Sequence, residues 1–423
     1  MTDLAWGVPS LRPRWRPGAA ARRLLPLGPA FVAAVAYVDP GNVATNVTAG
    51  ARYGYLLCWV VVAASATAML VQYLSAKLGL ATGRTLPEHC RQRWSRRTAT
   101  ALWVQAEGVA LATELAEVLG GAIALQLLFG LPLPWGALVT AAGSMLVLTL
   151  QRRTRQGRFE ATVTVLLAAC AVGFVVTALR AAPSPTAMLA SMVPRLQGSD
   201  SLLLAAGILG ATVMPHAVYL HSALVCDRFD LTGSPTTPVE TARRQRLLRC
   251  TRTDIGLALS LAAGVNLSLV VLAAAALPGG GVDTIEGAQR AVGAVLGPAS
   301  ATLFALALLA SGLASSSVGA YAGAVVIEGF AGRRVPTLLR RTLTLVPALA
   351  VIAAGVDATH ALVVSQVVLS LGLPFVLWPL VALTRDRAVM GPFVNTRLTT
   401  ALAAVAAAAI TALGVLLLAL GLG

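Results

Sequence analysis

Eleven apolar stretches run through this sequence and constrain its fold more than any other feature. An α-helix needs about 20 apolar residues to cross a bilayer, and all but the short ninth stretch come near or exceed that length. With 57% hydrophobic and 12% charged residues, the 423-residue chain is too apolar for a soluble domain. It is predicted to be an all-α polytopic membrane protein. The predicted helices lie near residues 24–50, 55–76, 101–129, 133–150, 160–179, 201–226, 255–277, 297–327, 342–355, 360–383 and 398–421.

Most basic residues fall on one side of the predicted membrane. The formal charge is +15, and 28 of the 32 Lys and Arg residues lie in the N-terminal segment or in alternate loops. The opposite loops hold only Arg52, Arg180, Arg195 and Arg290. The positive-inside rule therefore predicts a cytoplasmic N-terminus and, after eleven helices, an external C-terminus. This pattern argues for contact with membrane lipid and against nucleic-acid binding.

Two predicted helices are interrupted near their centres by polar tetrapeptides, Asp39-Pro40-Gly41-Asn42 and Val213-Met214-Pro215-His216. Proline in a membrane helix frees backbone carbonyls. Such a break is tolerated only where the freed carbonyls line a protein-enclosed cavity or contact a bound ion. Asp39 and Asn42 offer hard oxygen ligands, Met214 offers a soft thioether, and a carbonyl near Ala211 can add another oxygen. Such a mixed set favours a transition-metal ion over Mg²⁺ or Ca²⁺. Taken alone, Met214 is equally well explained as core filler.

The chain reads as one membrane domain built from two halves. Helices 1–5 and 6–10 would be oppositely oriented because five is odd, and each half begins with an interrupted helix, which is the inverted-repeat transporter pattern. We expect a basic cytoplasmic segment at 1–23 and a transporter domain at 24–423. Its parts are a first repeat at 24–180, a second repeat at 201–383 and a peripheral eleventh helix at 398–421. The longest loop is expected at about 227–254, and five scattered cysteines form no CxxC motif.

Three carboxylates interrupt the third apolar helix. At about 100° per residue, Glu107, Glu114 and Glu117 share one face, which must point into the protein. Their candidate partners are Arg340 and Arg341 on the ninth helix and His216 or His221 on the sixth. Such a row suits a proton route, and the alternative is a purely structural salt-bridge network.

Several segments resemble the natural-resistance-associated macrophage protein (Nramp) family of divalent-metal transporters, particularly its bacterial proton-coupled manganese transporters. The two most specific are AYVDPGNVATNVTAGARYGY at 36–55 and GATVMPHAVYLHSALV at 210–225. Further similarity lies in ATELAEVLG at 112–120, YAGAVVIEGF at 321–330 and SQVVLSLGLPF at 365–375. The resemblance covers essentially the whole chain.

The resemblance implies a LeuT-type fold with a 5+5 inverted repeat and an extra helix. It implies a metal site of Asp39, Asn42, Met214 and the Ala211 carbonyl, with the Ala36 carbonyl and Gln366 contributing in some conformations. The implied proton pathway consists of His216, Glu107, Glu114, Glu117, Arg340 and Arg341.

Three positions depart from the family pattern, and one retained residue narrows the substrate. Glu114 stands where Asp is usual, Gly372 where Gln is common, and Ser65 where Asn is common. The retained Met214 argues against the magnesium- and aluminium-transporting branches of the family.

We therefore predict an importer in the cytoplasmic (inner) membrane rather than an enzyme. It would carry Mn²⁺, and also Fe²⁺ and ions such as Co²⁺ and Cd²⁺, together with protons by alternating access. It would need no permanent cofactor, because the metal and the protons are cargo. One alternative is a symporter of an organic cation or amino acid with the same architecture. Another is an intramembrane metalloenzyme using His216 and His221, although the sequence has no HExxH motif.

Overall fold

The computed structural model describes residues 28–149, 156–277, 284–333 and 335–421, and all regular secondary structure in these ranges is helical. The expected basic segment 1–23 lies outside them. The first part of the chain contains α1 (Pro29–Val35), a 3-10 turn (Ala36–Val38), α2 (Pro40–Tyr53), α3 (Cys58–Thr82), α4 (Leu86–Arg93), α5 (Arg96–Phe129), α6 (Leu133–Thr149), α7 (Gln156–Arg180) and α8 (Pro185–Ala190). The second part contains α9 (Gly198–Thr212), α10 (Pro215–Phe229), α11 (Pro238–Ala276), α12 (Ile285–Leu296), α13 (Pro298–Ala331), α14 (Thr337–Ala353), α15 (Ala358–Gly372), α16 (Pro374–Arg385), α17 (Arg387–Met390), a 3-10 turn (Gly391–Phe393) and α18 (Arg397–Ala419).

The described helices confirm the predicted membrane segments. Eight helices or helix pairs are long and apolar enough to cross a membrane. Three shorter apolar helices, Pro29–Val38, Leu133–Val147 and Thr344–Ala353, coincide with the remaining predicted segments. The two interrupted helices are α1–α2 and α9–α10, with their breaks at the two tetrapeptides.

The expected loop at 227–254 is wrong for most of its length, because α11 already begins at Pro238. The Thr237 side chain caps this helix by accepting from the backbone N–H of Glu240, and proline occupies its first turn, where a missing N–H costs no hydrogen bond. Arg244 then fixes the extension: its buried guanidinium donates to the carbonyls of Leu80 and Gly233 at 3.1 and 2.8 Å.

The tenth predicted helix, 360–383, is also interrupted. Helix α15 ends at Gly372 and α16 begins at Pro374, because proline has no N–H to donate and its ring crowds the preceding turn.

The interrupted helices lie at the centre of the bundle. Helix α2 packs against α9, α11 and α15, and α5 packs against α13 and α15. In the most apolar window of α9–α10, 83% of the residues are buried, against 28% in α18. Residues beside either break are therefore surrounded by protein rather than lipid.

Candidate metal site and carboxylate row

Asp39 marks the first break and begins α2. Its backbone is extended, with φ −75° and ψ 167°, and its carboxylate Oδ1 accepts from the backbone N–H of Asn42 at 2.8 Å. Pro40 follows at the first position of the helix. This is a normal helix N-cap, but here it places a fully buried carboxylate in the middle of a membrane-crossing segment.

Two neighbouring helices satisfy the carbonyls freed at this break. The Asn266 side-chain amide of α11 donates to the Tyr37 carbonyl at 2.9 Å, and the Ser311 hydroxyl of α13 donates to the Val38 carbonyl. Sequence reasoning missed both donors. The available signal was a buried polar residue within an otherwise apolar helix, a placement that usually has a specific partner.

Asn42 joins the two breaks. Its amide nitrogen donates to Asp39 Oδ1 at 2.7 Å and to the Ala211 carbonyl of α9 at 2.8 Å. The Ala211 carbonyl is available because α9 ends at Thr212 and α10 begins only at Pro215. The structure thus joins Ala211 to Asn42, 169 positions away in the chain, and through Asn42 to Asp39.

Three oxygens at this junction are buried without a hydrogen-bond partner among the described residues: Asp39 Oδ2, Asn42 Oδ1 and Gln366 Oε1. Gln366 lies over Gly41, where a Cβ atom would overlap its side-chain amide. Buried oxygens without a partner carry a desolvation penalty. A cation would remove that penalty, and Asp39 supplies the negative charge within the group.

Met214 and Ala36 are close to the helix breaks in the chain but are not linked by hydrogen bonds to the other candidate ligands among the described residues. Met214 is one of two fully buried residues between α9 and α10, and its side chain makes no capping hydrogen bond to α10. Ala36 lies in the 3-10 turn before Asp39, with its N–H bonded within α1. Among the described residues, no hydrogen bond connects either of them to Asp39, Asn42 or Ala211.

The carboxylate row lies along α5, and each member has different surroundings. Glu107 is half-buried and accepts from the Trp103 indole at 3.1 Å. Glu114 is buried 3.8 Å from the Arg340 guanidinium, which also donates to the Ala320 carbonyl at 2.9 Å. The predicted candidate pairing of α5 with the ninth helix is therefore present through Arg340. Arg341 belongs to α14, but its side chain lies outside the described part of the structure.

Glycines on α13 make room for these charged groups. A Cβ at Gly319 would stand 2.6 and 2.7 Å from the carboxylate oxygens of Glu117, and one at Gly323 would overlap the Arg340 guanidinium. Only glycine lets the charged groups approach the helix backbone this closely. Glu117 is completely buried in this arrangement.

The two histidines of α10 face different helices. His216 Nδ1 lies 3.3 Å from the Thr113 hydroxyl of α5, next to Glu114 in the chain. His221 Nδ1 lies 2.6 Å from Gln72 Oε1, and the other end of that amide donates to the Tyr37 hydroxyl. The arrangement brings neither imidazole into a group of three or more His, Cys, Asp or Glu side chains able to hold a metal among the described residues, which removes the geometric basis for the metalloenzyme alternative. It places His216 between the helix break and the carboxylate row.

Comparison with known proteins assigns the family. The model described as natural resistance-associated macrophage protein-like, Nramp, matches residues 30–420. The divalent metal cation transporter MntH of Mycobacterium tuberculosis (strain ATCC 25618 / H37Rv) is 54% identical over 393 residues, covering 93% of this chain and 90% of that protein. MntH of Bacillus subtilis (strain 168) is 43% identical over 401 residues, covering 94% and 92%.

Solved structures agree with the predicted LeuT-type fold. A crystal structure of the Eremococcus coleocola manganese transporter, in complex with an aromatic bis-isothiourea substituted compound, matches with a TM-score of 0.83 and 31% identity over 96% of this chain and 88% of that chain. Mhp1, a nucleobase-cation-symport-1 family transporter, matches with a TM-score of 0.60 and 14% identity over 92% and 90%, which shows the fold alone. The named relatives are transporters, in agreement with the prediction that this chain is not an enzyme. By the family match over residues 30–420 and by these identities, the chain belongs to the Nramp family.

Proposed function

We propose that this protein imports Mn²⁺, and also Fe²⁺, Co²⁺ and Cd²⁺, into the cytoplasm together with protons. The observation that carries the proposal is the group of buried, unpartnered oxygens of Asp39, Asn42 and Gln366 where two interrupted helices meet. The names of the relatives, divalent metal cation transporters and a manganese transporter, support the transport of a divalent metal ion such as Mn²⁺.

The ligand types favour transition metals. Asp39 supplies the charge, Asn42 and the Ala211 carbonyl supply neutral oxygens, and Met214 supplies a thioether. Gln366 and the Ala36 carbonyl would enter the ligand set in some conformations. Asn42 must turn its amide, because in this structure its nitrogen contacts Asp39 and Ala211. A thioether gives softer ions an advantage that Mg²⁺ and Ca²⁺ cannot use.

The proton route would leave the site through His216 and follow the carboxylate row. A divalent ion beside Asp39 favours its deprotonation, since metal ligands bind in their deprotonated form. The contact from His216 to Thr113 and the pairing of Glu114 with Arg340 supply polar groups along α5, with Glu117 and Glu107 on either side. Arg341 is assigned to the same route by its position on α14.

The same proposal includes the location of the protein, its orientation in the membrane and the movement of its two repeats. The protein would lie in the cytoplasmic membrane with its N-terminus inside and its C-terminus outside, as the loop charges indicate. The repeats at 24–180 and 201–383 would move relative to each other to alternate access, with helix 398–421 peripheral.

Purified protein in proteoliposomes tests the proposal. With an inward proton gradient, external Mn²⁺ should enter while the lumen acidifies beyond the leak of protein-free vesicles, and a tenfold excess of Ca²⁺ or Mg²⁺ should not compete. Mn²⁺ entry without acidification of the lumen beyond that leak would refute the proposed proton coupling. Absence of Mn²⁺ entry, with uptake of an organic cation or amino acid instead, would favour the alternative symporter.

A further inference from the structure

A polar cavity of about 300 Å³ lies away from the helix breaks. The cavity is formed where the end of α3, helix α4, the loop at Gly233 and Ser234, the end of α16 and helix α17 meet. Its lining includes Arg84, Gln92 and Arg93, and among the described residues it contains no Asp or Glu.

The two arginines of this cavity are held at its wall with donors to spare. Arg84 donates to Gln92 Oε1 at 2.8 Å, which uses one of its five N–H groups. Arg93 lies 3.6 Å from Asp386, and the side chains of this pair are 62% and 29% exposed. Such an exposed pair is weak, so Arg93 remains able to bind another anion.

Two carboxylates, Glu88 and Asp386, lie near the cavity but outside its described lining. Glu88 of α4 accepts from the backbone N–H of Thr85 at 2.7 Å in a capping box, and Asp386 accepts from the N–H of Ala388 at 2.8 Å. Asp386 offsets part of the charge of Arg93, but the side chains that line the described cavity carry positive charge alone, from Arg84 and Arg93. Arginine suits phosphate in particular because its planar fork donates two parallel hydrogen bonds.

His89 contributes structure rather than charge to this wall. Burial, with the Arg84 charge adding to it, lowers the pKa of His89 to about 4, so its ring is neutral at ordinary pH. The Thr82 hydroxyl donates to the Leu78 carbonyl at 2.8 Å, so its oxygen accepts from His89 Nε2 at 2.8 Å. This pair fixes α4 against the end of α3.

The cavity lies at the ends of two helices long and apolar enough to cross a membrane, where lipid headgroups are expected. Its walls contain Thr82, the last residue of one membrane-crossing helix, and Leu383, near the end of the pair that closes at Arg385. We propose that this cavity binds the phosphate group of an anionic ligand through Arg84, just before α4, and Arg93, at the end of α4. The chemistry is that of a phosphate ester, supplied either by an anionic phospholipid headgroup or by a soluble phosphate ester.

Binding measurements on the full-length protein in detergent test this site. The probes are short-chain phosphatidylglycerol, short-chain phosphatidylcholine, glycerol 3-phosphate and inorganic phosphate. The cavity variant is R84Q with R93Q, and the matched control is R96Q with R387Q, two exposed arginines outside the lining that give the same charge change. Wild type should bind phosphatidylglycerol or glycerol 3-phosphate, and the cavity variant should bind at least about tenfold more weakly while the control is unchanged.

The probe that binds identifies the source of the phosphate. Preference for phosphatidylglycerol over glycerol 3-phosphate assigns a lipid, and the reverse assigns a soluble ester. Equal binding of phosphatidylcholine and phosphatidylglycerol, equal losses in the cavity and control variants, or no binding of any probe by wild type would overturn the proposal.

A second variant tests the cavity without changing charge. Ala388 is an exposed lining residue of α17, so Ala388→Phe should fill the space and weaken binding about tenfold although both arginines remain. Normal Mn²⁺ uptake by this variant would show that it is folded. Undiminished phosphate binding by the folded variant would place the ligand outside the cavity and refute the assignment.

Discussion

Replacing Asp39 with asparagine tests the proposed metal site most directly. The carboxylate Oδ1 accepts from the backbone and side-chain nitrogens of Asn42 at 2.8 and 2.7 Å, and an amide oxygen in its place can accept both bonds. Within the described part of the chain, Oδ2 has no hydrogen-bond partner that the substitution would break. We therefore expect Asp39→Asn to fold and insert normally, with only a small change in Tm.

The expected loss of metal binding follows from the charge. Two unit charges 4 Å apart interact by about 4 kcal/mol at an effective dielectric constant of 20, and a divalent ion doubles this to about 8 kcal/mol. Dehydration of the carboxylate and the ion offsets part of that energy. If only a third of it remains, about 2.7 kcal/mol, Mn²⁺ affinity falls about 100-fold.

The assay combines calorimetric Mn²⁺ binding with uptake into proteoliposomes at external pH 5 to 8. Wild-type uptake should be faster on the acid side while the proton gradient is maintained, and Asp39→Asn should stay at background throughout. Asp200→Asn is the matched control, because Asp200 is exposed in the first turn of α9 and should tolerate the same chemical change. Wild-type uptake with normal pH dependence in Asp39→Asn would refute both the ligand and the proton-acceptor roles of Asp39.

Three further substitutions separate the parts of the mechanism. Met214→Ala should retain some Mn²⁺ uptake through the oxygen ligands, lose Cd²⁺ uptake and let Ca²⁺ compete, and unchanged competition by Ca²⁺ would remove Met214 from the site. Glu114→Gln should leave Mn²⁺ affinity within about tenfold in calorimetry but weaken metal-stimulated proton entry, and abolished Mn²⁺ binding would contradict the relay assignment. Gly41→Ala should push the amide of Gln366 away from the break and lower the rate of Mn²⁺ uptake several-fold, whereas normal uptake would show that this contact is dispensable.

The helix breaks could be predicted because their causes are local. Proline cannot donate a backbone hydrogen bond, and a carboxylate in an apolar segment needs buried polar surroundings, so Asp39 and Pro215 mark the breaks by themselves. The remaining contacts depend on tertiary structure. Asn266 and Ser311 reach the freed carbonyls from positions more than 220 residues further along the chain, and no local pattern specifies that meeting.

Helix boundaries were less predictable, because an apolar window marks the part of a helix that can lie in the membrane and not the residues at which the helix begins and ends. Helix α11 begins at Pro238, about 17 residues before the apolar window at 255–277, since its first turns are polar and capped by Thr237. Similarly, the carboxylate row was visible from helical periodicity, but the contact of Glu117 with Gly319 required the packing of α5 on α13.

The bare backbone of α13 at Gly319 and Gly323 has a consequence for sequence variation. Glu117 and Arg340 lie directly against these two positions, so no side chain of either glycine separates the charged groups from the backbone of α13. A methyl group at either position would have to displace a charged group inside a close-packed interior. These chemically inert glycines should therefore tolerate substitution as poorly as the ionisable residues they cover, and a larger residue at position 319 or 323 should be found only alongside a smaller one at 117 or 340.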